Sequence, residues 1–122
     1  MTLKKLPHEL SVMKLPSTAG FSLDADFFFL AKTDGEISLV CRTEDVPGNT
    51  TAREDGWRAL RVEGTLDFSL VGILARLTAT LAEHGIPVFA VSTYDTDYIL
   101  VKAEQFGLAA DALEAAGYEV TE

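Results

Sequence analysis

A helical pattern of apolar residues between positions 69 and 84 organises the sequence. Apolar side chains recur there at spacings of three and four, which places them on one stripe of a helix: Leu70, Ile73, Leu74, Leu77 and Leu81. Asp67 or Ser69 can cap the beginning of this helix, and Gly85 is a typical left-handed stop at its end. Because such a stripe must cover a sheet, the flanking segments are expected to be strands.

The second half of the chain predicts a complete α+β layer structure. Short segments rich in β-forming residues are expected to be strands, at 59–62, 88–91, 98–103 and 118–120. A second helix is predicted at 104–116, where one face carries Phe106, Ala109, Ala110, Leu113 and Ala116. With the turn at 94–97, the predicted order is β-α-β-β-α-β, the order of the ferredoxin-like fold.

The first half predicts strands without helices, at 10–15, 27–32 and 36–42. Asp34 and Gly35 lie between two apolar runs and favour a tight hairpin, whereas 17–24 and 43–55 are expected to be loops with at most a short turn. The chain is therefore predicted to divide into 1–56 and 57–122. One sheet face of the first half would lack helical cover and would need the second half or another subunit to bury it, since it is rich in Phe27, Phe28, Phe29, Ile37 and Leu39.

The net charge limits the classes of binding partner, and the cysteine count indicates the cellular compartment. The 122 residues carry 19 acidic and 10 basic side chains, a net charge of −9 that disfavours nucleic acid and anionic membrane surfaces as partners. A single cysteine, Cys41, excludes an intramolecular disulfide and suggests a cytoplasmic protein. The longest apolar run, 27–31, is far too short to span a bilayer.

Two places offer candidate binding groups. At 66–72 the helix N-terminus can hold a carboxylate, Gly72 permits close backbone approach, and Asp67 can pair with an ammonium group. The alternative is that Asp67 caps the helix and Gly72 serves packing. Asp97, at the end of the predicted turn, either caps its own backbone or pairs with a cationic ligand group.

The remaining reactive residue types predict no chemistry. His84 lies in the last helical turn, where it is expected to cap the helix, and Cys41 is expected to be a small buried hydrophobe. Two histidines and one cysteine without ligand spacing predict no metal site, and no phosphate-binding or nucleophile motif is present. We therefore expect neither enzyme activity nor a cofactor.

Two stretches resemble an ACT domain: Gly64-Thr-Leu-Asp-Phe-Ser-Leu-Val-Gly-Ile-Leu, and the run from Ile86 to Val101 that contains Ser-Thr-Tyr-Asp-Thr-Asp-Tyr. The chain is most similar to small bacterial ACT proteins related to the CASTOR-type arginine sensors and to aspartate kinase regulatory regions. The resemblance implies a degenerate ACT-like repeat at 1–56, an ACT domain at 57–122, and an amino acid bound between ACT units. The implied ligand-binding residues are Asp67, Phe68, Ser69, Leu70, Val71, Gly72, Ile86, Pro87, Val88 and Asp97.

The sequence therefore predicts a non-enzymatic amino-acid sensor that regulates an unidentified protein and forms a homodimer. For Val88 and Phe89, a plain core role is the favoured interpretation of the side chains. The alternative function is a protein-interaction module with a vestigial ligand pocket, acting through homodimer or partner contacts at exposed sheet edges.

Overall fold

A computed structural model of the chain describes residues 1–64 and 71–122. They form two compact units, one of Met1–Pro7 with Arg58–Glu122 (the major unit) and one of His8–Trp57 (the inserted unit). The elements are β1 (Thr2–Lys5), β2 (Leu10–Leu15), β3 (Phe28–Lys32), β4 (Ile37–Arg42), β5 (Ala52–Val62), α1 (Ile73–Glu83), β6 (Phe89–Ser92), β7 (Asp97–Lys102), α2 (Phe106–Ala115) and β8 (Glu119–Thr121). Two 3₁₀ turns lie at Thr43–Asp45 and Ala103–Gln105. This confirms the predicted α+β class.

The major unit has the predicted βαββαβ order from β5 to β8, with one additional strand. In its sheet, β6 pairs antiparallel with β7, β7 pairs with β5, and β5 pairs antiparallel with β1. The additional strand β1 also pairs in parallel with β8, so it lies between β5 and β8. Leu3 is its buried apolar residue, and a single Leu among polar neighbours is too little pattern to predict a strand.

Both helices of the major unit cover one face of this sheet. The core that they share with the strands contains Leu60, Val62, Ile73, Leu77, Leu81, Ile99, Val101, Phe106, Ala109 and Leu113. The predicted helical stripe is thereby confirmed at Ile73, Leu77 and Leu81, while Leu70 lies outside the described residues. Ala116 is exposed, contrary to the prediction, because it is the cap residue beyond the last turn of α2.

The beginning of α1 differs from the prediction. The helix begins at Ile73, and its cap position is taken by Gly72 in the left-handed region (φ 80°) with no side-chain capping hydrogen bond. The predicted cap by Asp67 or Ser69 falls on residues that lie outside the described part of the chain. Only a residue that tolerates positive φ suits this position, which explains the glycine.

Both helices end in the same hydrogen-bonded motif. In α1, Gly85 N–H donates to the Ala82 carbonyl and Ile86 N–H to the Leu81 carbonyl, each at 3.0 Å. Gly85 has φ 69°, as the predicted left-handed stop requires. His84 occupies the cap position, where its ring Nδ1 lies 2.9 Å from the Thr80 carbonyl oxygen, which confirms its predicted capping role.

The inserted unit is built on strands and loops. β3 pairs antiparallel with β4 in the predicted hairpin, β4 with β2, and β2 with the first half of β5. Residues 52–55, predicted to be loop, are strand; their charged sequence shows no apolar alternation, and pairing with β2 determines the conformation. None of the helices among the described residues of either unit is long and apolar enough to cross a membrane.

The first half lacks α-helical cover, as predicted, but the expectation that only the second half or another subunit could bury its sheet face is wrong. Met13, Leu15, Leu39 and Cys41 form a buried cluster that two loop residues cover, Phe21 and Val46. The Phe21 ring packs edge-on against Phe28 at 5.0 Å. Phe27 and Phe29 cannot share this face with Phe28, because neighbouring strand residues alternate. Loops thus bury the face that helices cover in the major unit.

Candidate functional site

The turn between β6 and β7 is closed by a threonine. Thr93 N–H donates to the Thr96 carbonyl at 2.9 Å, and the Thr93 hydroxyl donates to the same carbonyl at 3.0 Å. The hydroxyl oxygen also accepts the Thr96 N–H at 3.4 Å. Thr93 therefore satisfies the backbone of this turn, a role that the alternative interpretation had assigned to Asp97.

Asp97 instead pairs across the hairpin. It lies directly opposite Ser92, whose hydroxyl donates to Asp97 Oδ1 at 2.6 Å. Among residues 1–64 and 71–122, no hydrogen bond or salt bridge reaches the second carboxylate oxygen of Asp97. The serine thus fixes the orientation of the carboxylate while one oxygen stays available to a cationic group.

The turn is anchored to the end of β5. The Thr96 side chain is 8% exposed and donates its hydroxyl to the Val62 carbonyl at 2.5 Å. Asp97 alternates with Ile99 and Val101, which pack against the helices, so it lies on the helix-bearing face of the sheet. The structure therefore places Asp97 where β5 ends and the chain enters the predicted binding loop. Four predicted site residues in that loop lie outside the described residues: Asp67, Phe68, Ser69 and Leu70.

The described end of that loop leads into the start of α1, where Gly72 is the cap residue. The Val71 side chain is 83% exposed, and Gly72 accepts the Arg76 N–H at its carbonyl at 2.9 Å. A Cβ on Gly72 would lie 2.8 Å from Arg76 Nη1, so the glycine also makes room for this guanidinium. Gly72 has no side chain with which to cap the helix, and the first N–H groups of an α-helix have no intrahelical partners, which suits them to binding a carboxylate.

The predicted strand residues lie at the other end of α1. Ile86 is 3% exposed and uses its N–H to end the helix, Val88 packs partly against the core, and Pro87 is exposed. With 11 residues, α1 is about 16 Å long. Within the major unit, the structure brings Asp97 to the end of β5, but it separates Ile86, Pro87 and Val88 from Gly72 by the length of the helix.

Sequence reasoning missed the residues that hold Asp97 in place: Ser92, Thr93 and Thr96. A signal for Ser92 was available, because a four-residue turn at 93–96 places 92 and 97 directly opposite one another in the hairpin. A signal for Thr93 was also available, since Thr33 occupies the equivalent position before the predicted Asp34-Gly35 turn.

Neither the cysteine nor the acidic residues form a reactive centre in the described structure. Cys41 is fully buried, as predicted, and burial is the main cause that raises the pKa of its thiol to about 11. A thiol that stays protonated at neutral pH is a poor nucleophile. Within the described ranges, no three His, Cys, Asp or Glu side chains are grouped so that they could hold a metal ion.

Comparison with known proteins defines the class of this fold. A family model described as ACT domain matches residues 52–115, more than half of the chain. The chain belongs to the ACT-domain family, which confirms the resemblance and the ferredoxin-like fold.

Particular relatives refine this assignment. The mouse cytosolic arginine sensor for mTORC1 subunit 1 is 30% identical over 100 residues, which cover 76% of this chain and 30% of the relative. The chain thus spans about a third of the length of the curated relatives it matches. A crystal structure of an Agrobacterium tumefaciens protein superposes with a TM-score of 0.86 at 30% identity, covering 99% of this chain and 92% of that one. The ligand-free regulatory subunit of aspartate kinase from Thermus thermophilus shares the fold, with a TM-score of 0.61 at 11% identity, 90% coverage of this chain and 93% of that one.

Proposed function

We propose that this protein is a non-enzymatic regulatory module that binds a free amino acid between ACT units. The observation that carries the proposal is the Asp97 carboxylate, which Ser92 orients and which lies on the helix-bearing face where β5 ends. An amino acid presents an ammonium and a carboxylate close together. Asp97 is a partner for the ammonium, and the N-terminus of α1, whose cap residue Gly72 has no side chain, is a partner for the carboxylate.

The separation of the predicted site residues supports binding at an interface. Gly72 and Ile86 lie at opposite ends of α1, about 16 Å apart, so a single amino acid does not reach both within one unit. Two units can combine the loop of one with the 86–88 segment of the other. We propose a homodimer as the assembly that supplies this second segment.

A degenerate ACT-like repeat at 1–56 belongs to the same proposal. β7 (Asp97–Lys102) begins sixty positions after β4 (Ile37–Arg42), and the second 3₁₀ turn begins sixty positions after the first. The hairpin and the turn after it therefore recur at a constant interval. In the inserted unit, the loop residues Phe21 and Val46 take the place of helices.

The relatives support the ligand class and the setting. The mouse relative is by name a cytosolic arginine sensor, and we propose a cytoplasmic protein of the same kind, acting on a partner protein yet to be identified. A basic amino acid suits Asp97 and the net charge of −9 better than an acidic one.

The first test is the melting temperature of the protein with each common amino acid at millimolar concentration. A ligand at 100 times its dissociation constant stabilises the folded state by about 2.7 kcal/mol, a shift of several degrees for a chain of this size. We expect one or two amino acids to raise the melting temperature. A flat panel on folded, ligand-free protein contradicts the proposal and favours an interaction module with a vestigial pocket.

A second test addresses the interface. Sedimentation velocity at several protein concentrations, with and without the amino acid found in the panel, should show that the ligand shifts the protein towards the dimer. An amino acid that binds the monomer and dimer equally well contradicts a site completed by a second unit.

A further inference from the structure

A polar cavity of about 350 Å³ opens in the major unit beside the β6–β7 turn. Its lining comes from the end of β5 and from the turn: Arg61, Val62, Glu63, Gly64, Thr93, Asp95, Thr96 and Tyr98. Arg61 alternates with Leu60 and Val62, which face the helices, so its side chain lies on the opposite face of the sheet. The same alternation separates Tyr98 from Asp97. The cavity is therefore on the other side of the sheet from the Asp97 site.

Arg61 is paired with Glu63 at this cavity. Its Nε donates to Glu63 Oε2 at 3.3 Å and its Nη2 to Glu63 Oε1 at 3.4 Å. These bonds, and a further side-chain hydrogen bond with Tyr98, raise the pKa of the guanidinium. A guanidinium has five N–H donors, so the pair with Glu63 leaves donors for another acceptor. Arg61 and Glu63 are each about one-third exposed.

The cavity is lined by charges of both signs, with the basic Arg61 beside the acidic Glu63 and Asp95. Asp95 lines it, and in the described part of the chain no hydrogen bond or salt bridge engages the Asp95 carboxylate. Lys4 lies directly opposite Arg61 in the β1–β5 register, so it is on the same face. Lys4 is thus a second basic residue on this face of the sheet, outside the lining of the cavity. A ligand that carries one charge of each sign matches this lining better than a simple anion or cation.

We propose that this cavity is a second binding site, for a small zwitterion that carries an ammonium and a carboxylate. The ligand carboxylate accepts from the free donors of Arg61, and the ammonium donates to Asp95. Because the lining residues among 1–64 and 71–122 all belong to the major unit, this site needs no residue from a second unit. It differs in this respect from the site proposed at Asp97.

The test uses the full chain, labelled with ¹⁵N, with glycine as the smallest zwitterion and acetate and methylammonium as its two halves. We expect glycine to shift the Arg61 Nε–H resonance saturably, with at least ten-fold higher affinity than either half alone. Asp95→Asn should weaken glycine binding at Arg61 at least ten-fold, and since Asp95 is exposed the fold should be unchanged. Arg61→Gln, checked for folding by circular dichroism, should abolish the glycine response of the Tyr98 amide.

The outcomes separate this proposal from the one for Asp97. Glycine binding at Arg61 that survives Asp97→Asn but not Asp95→Asn supports the second site, whatever the amino-acid panel shows. An Arg61 Nε–H resonance that glycine does not shift overturns the second site and leaves the Asp97 proposal standing. Acetate binding as tightly as glycine overturns the requirement for both charges.

Discussion

The two hairpins of this protein, β3–β4 and β6–β7, share one scaffold and differ in the residues that it presents. β4 and β7 have six residues each, with the same order of two half-buried, three buried and one half-buried position. Each is followed by a three-residue 3₁₀ turn. The turns close alike, because Thr33 N–H donates to the Glu36 carbonyl and Thr93 N–H to the Thr96 carbonyl, both at 2.9 Å.

The difference lies in one cross-strand pair and in what covers the sheet. The pair is Lys32 with Ile37 in the first hairpin and Ser92 with Asp97 in the second. Ile37 packs against the cluster of the inserted unit, whereas Asp97 presents a carboxylate held by Ser92. The two hairpins thus share a backbone, and the replacement of an apolar residue by an acidic one, with a serine opposite it, distinguishes the candidate binding site from its structural counterpart.

The largest expected effect is a loss of stability, and it tests whether each hairpin packs against a tight hydrophobic core. Leu39 and Ile99 are 0% and 1% exposed at equivalent central positions. We expect Leu39→Ala and Ile99→Ala each to lower the free energy of unfolding by about 2–5 kcal/mol in urea titrations. Leu108→Ala, at a site 52% exposed, is the control and should change it by less than about 0.5 kcal/mol. A loss below about 1 kcal/mol for Leu39→Ala would show that the loops pack the cluster around Leu39 less tightly than the helices pack the core around Ile99.

The next effect comes from exchanging the residues that differ. Ile37→Asp places a charge against the cluster around Leu39 and should cost about 2 kcal/mol of unfolding free energy. Asp97→Ile removes one exposed hydrogen bond and should change stability by less than about 1 kcal/mol. Equal losses of unfolding free energy for Ile37→Asp and Asp97→Ile would contradict this comparison, since Asp97 would then contribute as much to stability as Ile37 does.

A smaller effect tests the shared turn closure. Thr33→Val and Thr93→Val each remove the hydroxyl that satisfies the turn backbone, at an expected cost of about 1 kcal/mol. Thr33→Ser and Thr93→Ser keep the hydroxyl and should recover most of that loss in the same urea titrations. Losses that differ between the two turns by more than about 1 kcal/mol argue against equivalent closure.

The smallest effect at neutral pH concerns Cys41, whose equivalent in the second hairpin is Val101. The folded state raises the thiol pKa from 9.0 to about 11, so the folded protein holds this proton more tightly than the unfolded chain. Stability should therefore fall as pH rises from about 9 to 11, and should not depend on this group below that range. Cys41→Val removes this contribution. If the unfolding free energies of the wild-type protein and of Cys41→Val fell equally between about pH 9 and 11, the pH dependence would not come from the Cys41 thiol.

Much of the fold could be predicted from local sequence patterns. The 3.6-residue stripe on α1, the Asp34-Gly35 hairpin and the glycine after each helix are short-range signals, and they predicted elements that the structure contains. Strand β1 and residues 52–55 were missed because their mostly polar sequences become strands only through pairing with distant segments. The cover that Phe21 and Val46 provide was missed for the same reason, since each comes from an irregular loop.

The candidate site was predictable in part. The turn motif located Asp97, and strand alternation places it on the helix-bearing face. Its partner Ser92 and the anchor from Thr96 to Val62 depend on side-chain geometry that a linear pattern does not encode. The position of Arg61 between Glu63 and Tyr98 likewise requires the pairing of β5 with β7.

The most direct test of the central claim is calorimetric titration of the wild-type protein, Asp97→Asn and Asp34→Asn with the amino acid that raises the melting temperature. Asp34 lies in the turn of the first hairpin, so Asp34→Asn is a matched loss of one carboxylate. We expect at least a ten-fold weaker affinity for Asp97→Asn, a loss of about 1.4 kcal/mol or more, and an unchanged affinity for Asp34→Asn. Equal affinities for all three proteins would contradict a ligand held by Asp97.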